Sequence, residues 1–355
     1  MAAVGYRIAR RVAFAAVVAV NAACTAVTPP WGIVTRDENR SFAVYGRNDR
    51  TLVYRDIGPP DAGQTLLLIH GLGASKAAWR YVLPELSKSY RCIAVDLLGH
   101  GDSSRPRPFD YAMTSQAEAL RDLISDPKLG VRNVVLVGSS YGGGVALELA
   151  RVVSEQHATT PAIEGLVLMA PTAVDFPPPP TIESARSPLA RWWVVNFCDS
   201  RALAAAMLRG AFADDSRVTP EMIDEYARCL SGAESRDVVA TAANEIFQEL
   251  KARDRAERRY AQLEYPILLL WGERDDVVPP SVAELIKSEL PHATLEVVSG
   301  CGHTPAEECA AQTLQVLESF LTTAAARGTL KPSSAQNFAG ERGPRGAAVN
   351  VMSSE

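Results

Sequence analysis

The tightest constraint on this chain is the stretch Asn133 to Gly142, which reads Asn-Val-Val-Leu-Val-Gly-Ser-Ser-Tyr-Gly. Val134 to Val137 are unbroken apolar residues, the mark of a strand buried on both faces. Beyond Gly142-Gly143-Gly144, the run Val145-Ala146-Leu147-Glu148-Leu149-Ala150 has the composition of a helix. A strand that passes straight into a helix leaves Ser140 on the turn. Gly138-Ser139-Ser140-Tyr141-Gly142 fits G-x-S-x-G, the nucleophile-elbow pattern. Its glycines allow a tight backbone and leave Ser140 uncrowded. The helix N-terminus beyond offers free N–H groups to a negative oxygen. So short a pattern carries weight only in this context.

Around the elbow, strand and helix patterns alternate. Ser41 to Gly46 and Thr51 to Ile57 read as a hairpin, followed by buried strands at Gln64 to His70 and Tyr90 to Leu97. Further strands fall at Gly165 to Ala170, Tyr265 to Gly272 and Ala293 to Ser299. Helical spacing marks Ser75 to Leu86, Ser115 to Ser125, Ser281 to Leu290 and Thr304 to Ala326. This alternation predicts an α/β fold, a doubly wound and mostly parallel sheet, over residues 40–170 and 265–326.

Residues 171–264 carry no strand pattern. After the stiff Pro177 to Pro180 connector come helical segments at Pro188 to Phe197, Arg201 to Phe212, Pro220 to Leu230 and Asp237 to Leu250. They predict an all-helical insertion, a lid over the sheet. Residues 329–355, rich in Gly, Ser, Ala and Arg, are expected to be a disordered tail.

The first 28 residues differ in kind. Arg7, Arg10 and Arg11 precede an apolar stretch from Val12 to Val27, short of the ~20 residues a span needs. A basic, then apolar, then small-residue order describes an export signal or membrane anchor. Cys24 resembles a bacterial lipoprotein cleavage site, although Asn21 stands where an aliphatic residue is usual; Arg10-Arg11 hints at a twin-arginine signal, although Ala13 stands where Phe is usual. Export or membrane association is the expectation, with a plain N-terminal helix on a cytoplasmic protein as the alternative. With 47% hydrophobic and 22% charged residues, the 355-residue chain has material for a sizeable core. A net charge of -5 and no basic run among aromatics give no expectation of nucleic-acid binding. No Cys/His cluster has zinc-ligand spacing and no phosphate loop is present, so neither metal nor cofactor is expected. Cys92 reads as a small core residue. Cys198 with Cys229, and Cys301 with Cys309, are two pairs that could form disulfides, and spacing does not choose between them. Oligomeric state is not legible.

Two late turns complete the pattern. Trp271-Gly272-Glu273-Arg274-Asp275-Asp276 follows a buried strand, and Gly300-Cys301-Gly302-His303-Thr304-Pro305 follows the last one. With the His70-Gly71 turn, the Asp96…Gly99-His100-Gly101-Asp102-Ser103 loop and the elbow, this order resembles the α/β-hydrolase fold superfamily with a helical cap, over roughly Arg40 to Ala326. The resemblance implies a Ser-Asp-His triad in that chain order: Ser140 as nucleophile, Asp275 as acid and His303 as general base. Asp276 competes for the acid's place, and either Asp could instead cap the helix after Pro279-Pro280. It further implies an oxyanion hole made by the backbone N–H groups of Leu72 and Tyr141. Among the other histidines, His70 and His100 belong to structural turns, His157 ends the elbow helix, and His292 lies at the opposite edge of the sheet. Epoxide hydrolases and haloalkane dehalogenases of the superfamily use an Asp nucleophile, so Ser140 argues against both. Ala310 departs from the Pro common after Pro305 and Glu308.

The implied function is a serine hydrolase of carboxylic esters, a small-molecule substrate with an apolar acyl group if Trp192, Trp193, Phe197 and Met207 line the lid; they could equally be its packing. Carbon–carbon bond hydrolysis and cofactor-free haloperoxidase chemistry are the alternatives within the superfamily. A non-catalytic binding protein that keeps the triad is the alternative outside it.

Overall fold

A computed structural model of the chain describes residues 39–43, 50–155, 161–177, 187–252 and 259–326. The N-terminal segment, the Pro178 to Pro180 part of the connector, His157 and the C-terminal tail lie outside them. Eight strands form one sheet: β1 (Asn39–Ala43), β2 (Thr51–Ile57), β3 (Thr65–Ile69), β4 (Arg91–Val95), β5 (Asn133–Ser139), β6 (Ala162–Met169), β7 (Ile267–Gly272) and β8 (Thr294–Val298). Their order is β1-β2-β4-β3-β5-β6-β7-β8. β1 and β2 are antiparallel, as are β2 and β4, and every later pairing is parallel.

Alternation along the strands divides the core into two layers. Leu67 and Ile69 of β3 and Leu136 of β5 face one side, where α1 (Met113–Ile124), α2 (Tyr141–Glu155) and α7 (Ser281–Glu289) cover them. Leu66 and Leu68, with Val135 and Val137, face the other, under Trp79 to Leu86 and α8 (Ala310–Ala326). Strands buried on both faces must be apolar throughout, which is why β3, β5 and β7 were visible as unbroken runs. The doubly wound, mostly parallel sheet is therefore present as expected.

Among the described residues between β6 and β7 stand the α-helices α3 (Pro188–Phe197), α4 (Ser200–Ala211), α5 (Pro220–Cys229) and α6 (Gly232–Ala252). Ser187, Asp199 and Thr219 cap the first three through their side-chain oxygens. Ala204, Leu208, Phe212, Met222, Tyr226 and Leu230 form a separate small core that closes on Ala74 just after β3.

Two expected helices are broken. Ser75 to Leu86 divides into short turns at Lys76–Trp79 and Leu83–Leu86, because Pro84 has no N–H to continue the ladder and its ring would clash with the carbonyl of Arg80. Thr304 to Ala326 divides into a turn at Pro305–Glu308 and α8, with Cys309 between them in non-helical geometry and bonded to Cys301. Of the two cysteine pairs considered, Cys301–Cys309 is the disulfide; Cys198 and Cys229 are free thiols. Cys92 is buried in β4, and burial pushes its thiol up to about 12.

Candidate active site

Parallel strands deliver their carboxyl ends to one edge of the sheet, where α/β folds bind ligands. Gly71 follows β3, Ser140 follows β5, Asp275 follows β7 and His303 follows β8. Ser140 has φ 53, the left-handed region that an L side chain visits at a cost of about 1–2 kcal/mol. Four backbone bonds hold it there. Its N–H donates to Met169 O at 2.8 Å, and its carbonyl accepts from Gly143, Gly144 and Thr172 at 2.9, 3.2 and 3.1 Å. The turn also needs glycine at 142, since a Cβ there would run into the carbonyl oxygens of Ile69 and His70. A Cβ on Gly71 would lie 3.4 Å from Ser140 Cβ, so the His70-Gly71-Leu72 turn lies directly against the elbow.

Asp275 and His303 are joined. His303 Nδ1 lies 2.7 Å from Asp275 Oδ2, both residues buried. Asp275 Oδ1 accepts from the N–H groups of Val277 and Val278, each at 2.9 Å. A carboxylate only accepts, so Nδ1 is the donor of that bond, and in the neutral ring Nε2 is then the acceptor. Asp276 is exposed and takes no part, and neither Asp caps α7, whose N-cap is Pro280 with no side-chain bond. The two loops are bound to each other by backbone: Glu273 N–H donates to Val298 O at 3.0 Å and Arg274 N–H to Cys301 O at 2.8 Å. Trp271 Nε1 anchors the acid loop on Val278 O at 2.9 Å.

The remaining histidines are elsewhere. His70 Nε2 accepts from Leu97 N–H at 3.0 Å, so its Nδ1 carries the proton and donates to Gly71 O at 2.7 Å. Burial lowers its pKa to about 4, and burial lowers that of His100 to about 3. Both rings are buried and neutral; His70 pins its turn to Leu97, whereas His100 Nδ1 lies 3.2 Å from Leu98 O within its own loop. His292 is exposed at the amino end of β8. Asp96 is likewise structural, accepting from the Lys76 backbone at 2.6 Å and its ammonium at 2.7 Å. Tyr141, first in α2, buries its ring and donates its hydroxyl to Tyr111 O, which locks the residue whose N–H follows Ser140. Leu72 is half-buried beside Gly71.

Residues with no motif complete the site. Glu308, buried, takes Gly302 N–H at 2.6 Å and Ala213 N–H at 3.1 Å on Oε2, and Asp214 N–H at 2.8 Å on Oε1. His303 N–H donates to Ala211 O at 2.6 Å. Glu307 accepts from Tyr226 Oη at 2.6 Å and Arg80 Nη2 at 3.0 Å. The helical insertion is thus bonded to the His303 loop through two adjacent glutamates. Only Glu308, at Pro-x-x-Glu spacing from Pro305, was readable; the partners of both glutamates in the insertion lie far away along the chain. Met207 of α4 reaches over the other side, its Cε 2.8 Å from where a Cβ on Gly73 would stand, with Val239 of α6 beside it. The buried group Cys301, Glu308 and Cys309 has metal-ligand types, but both sulfurs are spent in the disulfide.

A family model described as the alpha/beta hydrolase fold matches residues 64–308. A 2-hydroxymuconate semialdehyde hydrolase of Pseudomonas sp. (strain CF600) is 31% identical over 279 residues, 74% of this chain and 88% of that one. A monoacylglycerol lipase of Xenopus laevis is 25% identical over 290 residues, 79% of this chain and 82% of that one. Among solved structures, a membrane phospholipase A described as a bacterial virulence factor superposes with a TM-score of 0.63 at 28% identity, over 80% of this chain and 86% of that one.

Proposed function

The chain belongs to the α/β hydrolase fold family, and from that premise we propose that it is a serine hydrolase that cleaves carboxylic esters through an acyl-enzyme on Ser140. The observation that carries this reading is the 2.7 Å bond from His303 Nδ1 to Asp275, with both residues on the sheet edge that also carries the Ser140 elbow. A serine hydroxyl is a weak nucleophile at neutral pH and needs a base as it attacks. His303 Nε2 is that base, and Asp275 fixes the tautomer and stabilises the imidazolium. The tetrahedral oxyanion is received by the N–H groups of Tyr141 and Leu72, each such donor being worth about 3 kcal/mol. Collapse expels the alcohol, which takes the proton from His303; water then attacks the acyl-enzyme by the same route.

An apolar acyl group is favoured by Met207 and Val239, which face the Gly73 turn next to the oxyanion donors. The similarity to a monoacylglycerol lipase and a phospholipase points the same way. A second reading has one specific support. The 31% identical relative is named for 2-hydroxymuconate semialdehyde, and its chemistry would use the same Ser140 against a carbon–carbon bond.

A fluorophosphonate probe tests the common mechanism: it should label the chain and fail on Ser140→Ala. Equal labelling of both would remove Ser140 from the reaction. Turnover of p-nitrophenyl octanoate above acetate supports the apolar ester, whereas turnover of a 2-hydroxymuconate semialdehyde with none of any ester would replace it by the second reading.

A further inference from the structure

Helix α3 is out of place for a part of an aqueous protein. It reads Pro-Leu-Ala-Arg-Trp-Trp-Val-Val-Asn-Phe and buries no residue, whereas α4, α5 and α6 each turn several side chains into a core. Leu189, Trp192 and Phe197 are 74%, 54% and 55% exposed. They follow one another along the helix, with Trp192 and Phe197 in edge-on ring contact at 5.0 Å. The one charged group of the helix is turned away. Arg191 reaches to α6, donating to Asp237 Oδ1 at 2.7 Å and Thr241 Oγ1 at 2.8 Å. Asn196 is folded back on Trp192 O at 2.7 Å. Among the described residues, the outward face of α3 therefore presents two aromatic rings, a leucine and the Asn196 amide, whose N–H is spent on the helix's own carbonyl, with no charged side chain of the helix among them.

This face does not line the candidate site. Asp237 and Thr241, which hold α3, lie on roughly the opposite side of α6 from Val239, which faces Gly73. The area decides between occupants. Side chains of about 150–250 Å² at these exposures give roughly 350 Å². A stable dimer needs about 800 Å² from each partner, so a second copy is poorly matched. A single amphipathic helix lying in the headgroup region is well matched: Trp and Phe favour that depth, and the charged side faces the protein. The same chain carries a second apolar segment, Val12 to Val27, behind Arg7, Arg10 and Arg11.

We infer that α3 docks the protein on a lipid bilayer, with Leu189, Trp192 and Phe197 inserted to the depth of the acyl-chain boundary. The inference does not depend on which bond Ser140 attacks. It does place an enzyme of apolar esters on the surface where such substrates collect.

Tryptophan emission of the full chain tests it without catalysis. The chain has five tryptophans, and Trp79 and Trp271 are fully buried. In a Trp31→Phe background, Trp192 and Trp193 are then the reporters outside the core. Phosphatidylcholine vesicles brominated in the acyl chains should quench that emission. A Leu189→Glu/Phe197→Glu variant in the same background should need about a hundredfold more lipid for the same quench, while its melting temperature is kept. Leu189→Gln/Phe197→Gln serves if the acidic pair fails to fold. Vesicle-bound protein without quenching would assign binding to the N-terminal segment alone and overturn the proposal. So would an emission already blue-shifted before lipid and unmoved by it, which would mark α3 as covered by the chain itself, or equal quenching in the variants. A blue shift that follows protein concentration without lipid would put a second copy on the face instead.

Discussion

The carboxyl edge of the sheet and the helical insertion above it are built on opposite plans. At the edge, main-chain groups do most of the holding: four backbone bonds fix Ser140, two amides fix Asp275, and the two late loops bond to each other, while the His303 ring rests on the Asp275 carboxylate. The insertion has its own small core and joins the His303 loop through Glu307, Glu308 and Ala211 O. The contrast separates the groups of the proposed chemistry from those that would set its selectivity. An edge held largely by main chain tolerates change in the side chains around it, whereas an insertion with its own small core can change its lining and meets the proposed catalytic groups only at the His303 loop.

The largest test of that division is at the edge. Ser140→Ala is expected to lower turnover by about 10⁵–10⁶-fold with no loss of melting temperature, because the turn is held by backbone. A melting temperature that fell with activity would show that the hydroxyl shares in holding the elbow. Asp275→Asn should cost about 10⁴-fold in kcat by presenting the wrong partner to His303 Nδ1, and the exposed Asp276→Asn should leave kcat within about twofold. Equal effects at both positions would break the assignment of the acid.

Acid should reach the edge through its buried histidines. His70 and His100 have pKa values lowered by burial to about 4 and about 3. Their unfolded counterparts protonate near 6.5, so the unfolded state binds more protons as the pH falls below that value. Stability is fully present above pH 6.5 and is lost downward, His70 accounting for roughly 3 kcal/mol by the time pH 4 is reached. Urea midpoints between pH 7 and 5 should fall before most carboxylates titrate. Flat midpoints there would mean that the two imidazoles are not held neutral. Glu307, raised by burial, works in the opposite direction: its protonation favours the fold as the pH falls.

What could be read from the chain follows the same division. β3, β5 and β7 announced themselves because burial on both faces demands unbroken apolar runs. Ser140, Asp275 and His303 were placed because each sits in a turn with its own local pattern. That His303 bonds the buried Asp275 and not the exposed Asp276 was not legible, because adjacent aspartates differ only in how the fold buries them. The start of α6 at Gly232, ahead of the Asp237 expected, reflects a first turn with little apolar periodicity. The breaks in the two expected helices differ. Pro84 was a visible signal that apolar spacing overrode, whereas Cys309 leaves the helix in a loop whose pairing spacing could not choose. Glu308 was seen only as a family-like position, because its partners at Ala213 and Asp214 are brought to it by the fold of the insertion.

That residue tests the joint between the two regions. Glu308→Gln keeps the shape but turns an N–H donor toward an N–H group it formerly accepted from, at a cost of about 1–3 kcal/mol. The expected result is a melting temperature lower by several degrees and a kcat reduced about tenfold, since Gly302 adjoins His303. Loss of stability with an unchanged kcat would separate the joint from the base.

The smallest expected effect lies wholly in the insertion and bears most directly on substrate. Met207 approaches the Gly73 turn from α4, and its thioether is a flexible filler of apolar space. Met207→Ala should leave the intrinsic chemistry untouched and open room beside the proposed oxyanion donors. The ratio of kcat/KM for p-nitrophenyl octanoate over acetate is then expected to shift by about 10-fold, the worth of one or two methylenes in an apolar pocket. The direction is informative by itself. A rise means that Met207 ends the acyl site, so that removing it admits longer chains; a fall means that it grips the chain along its length. A ratio that does not move would take α4 out of the acyl site and leave Val239 and α6 to line it.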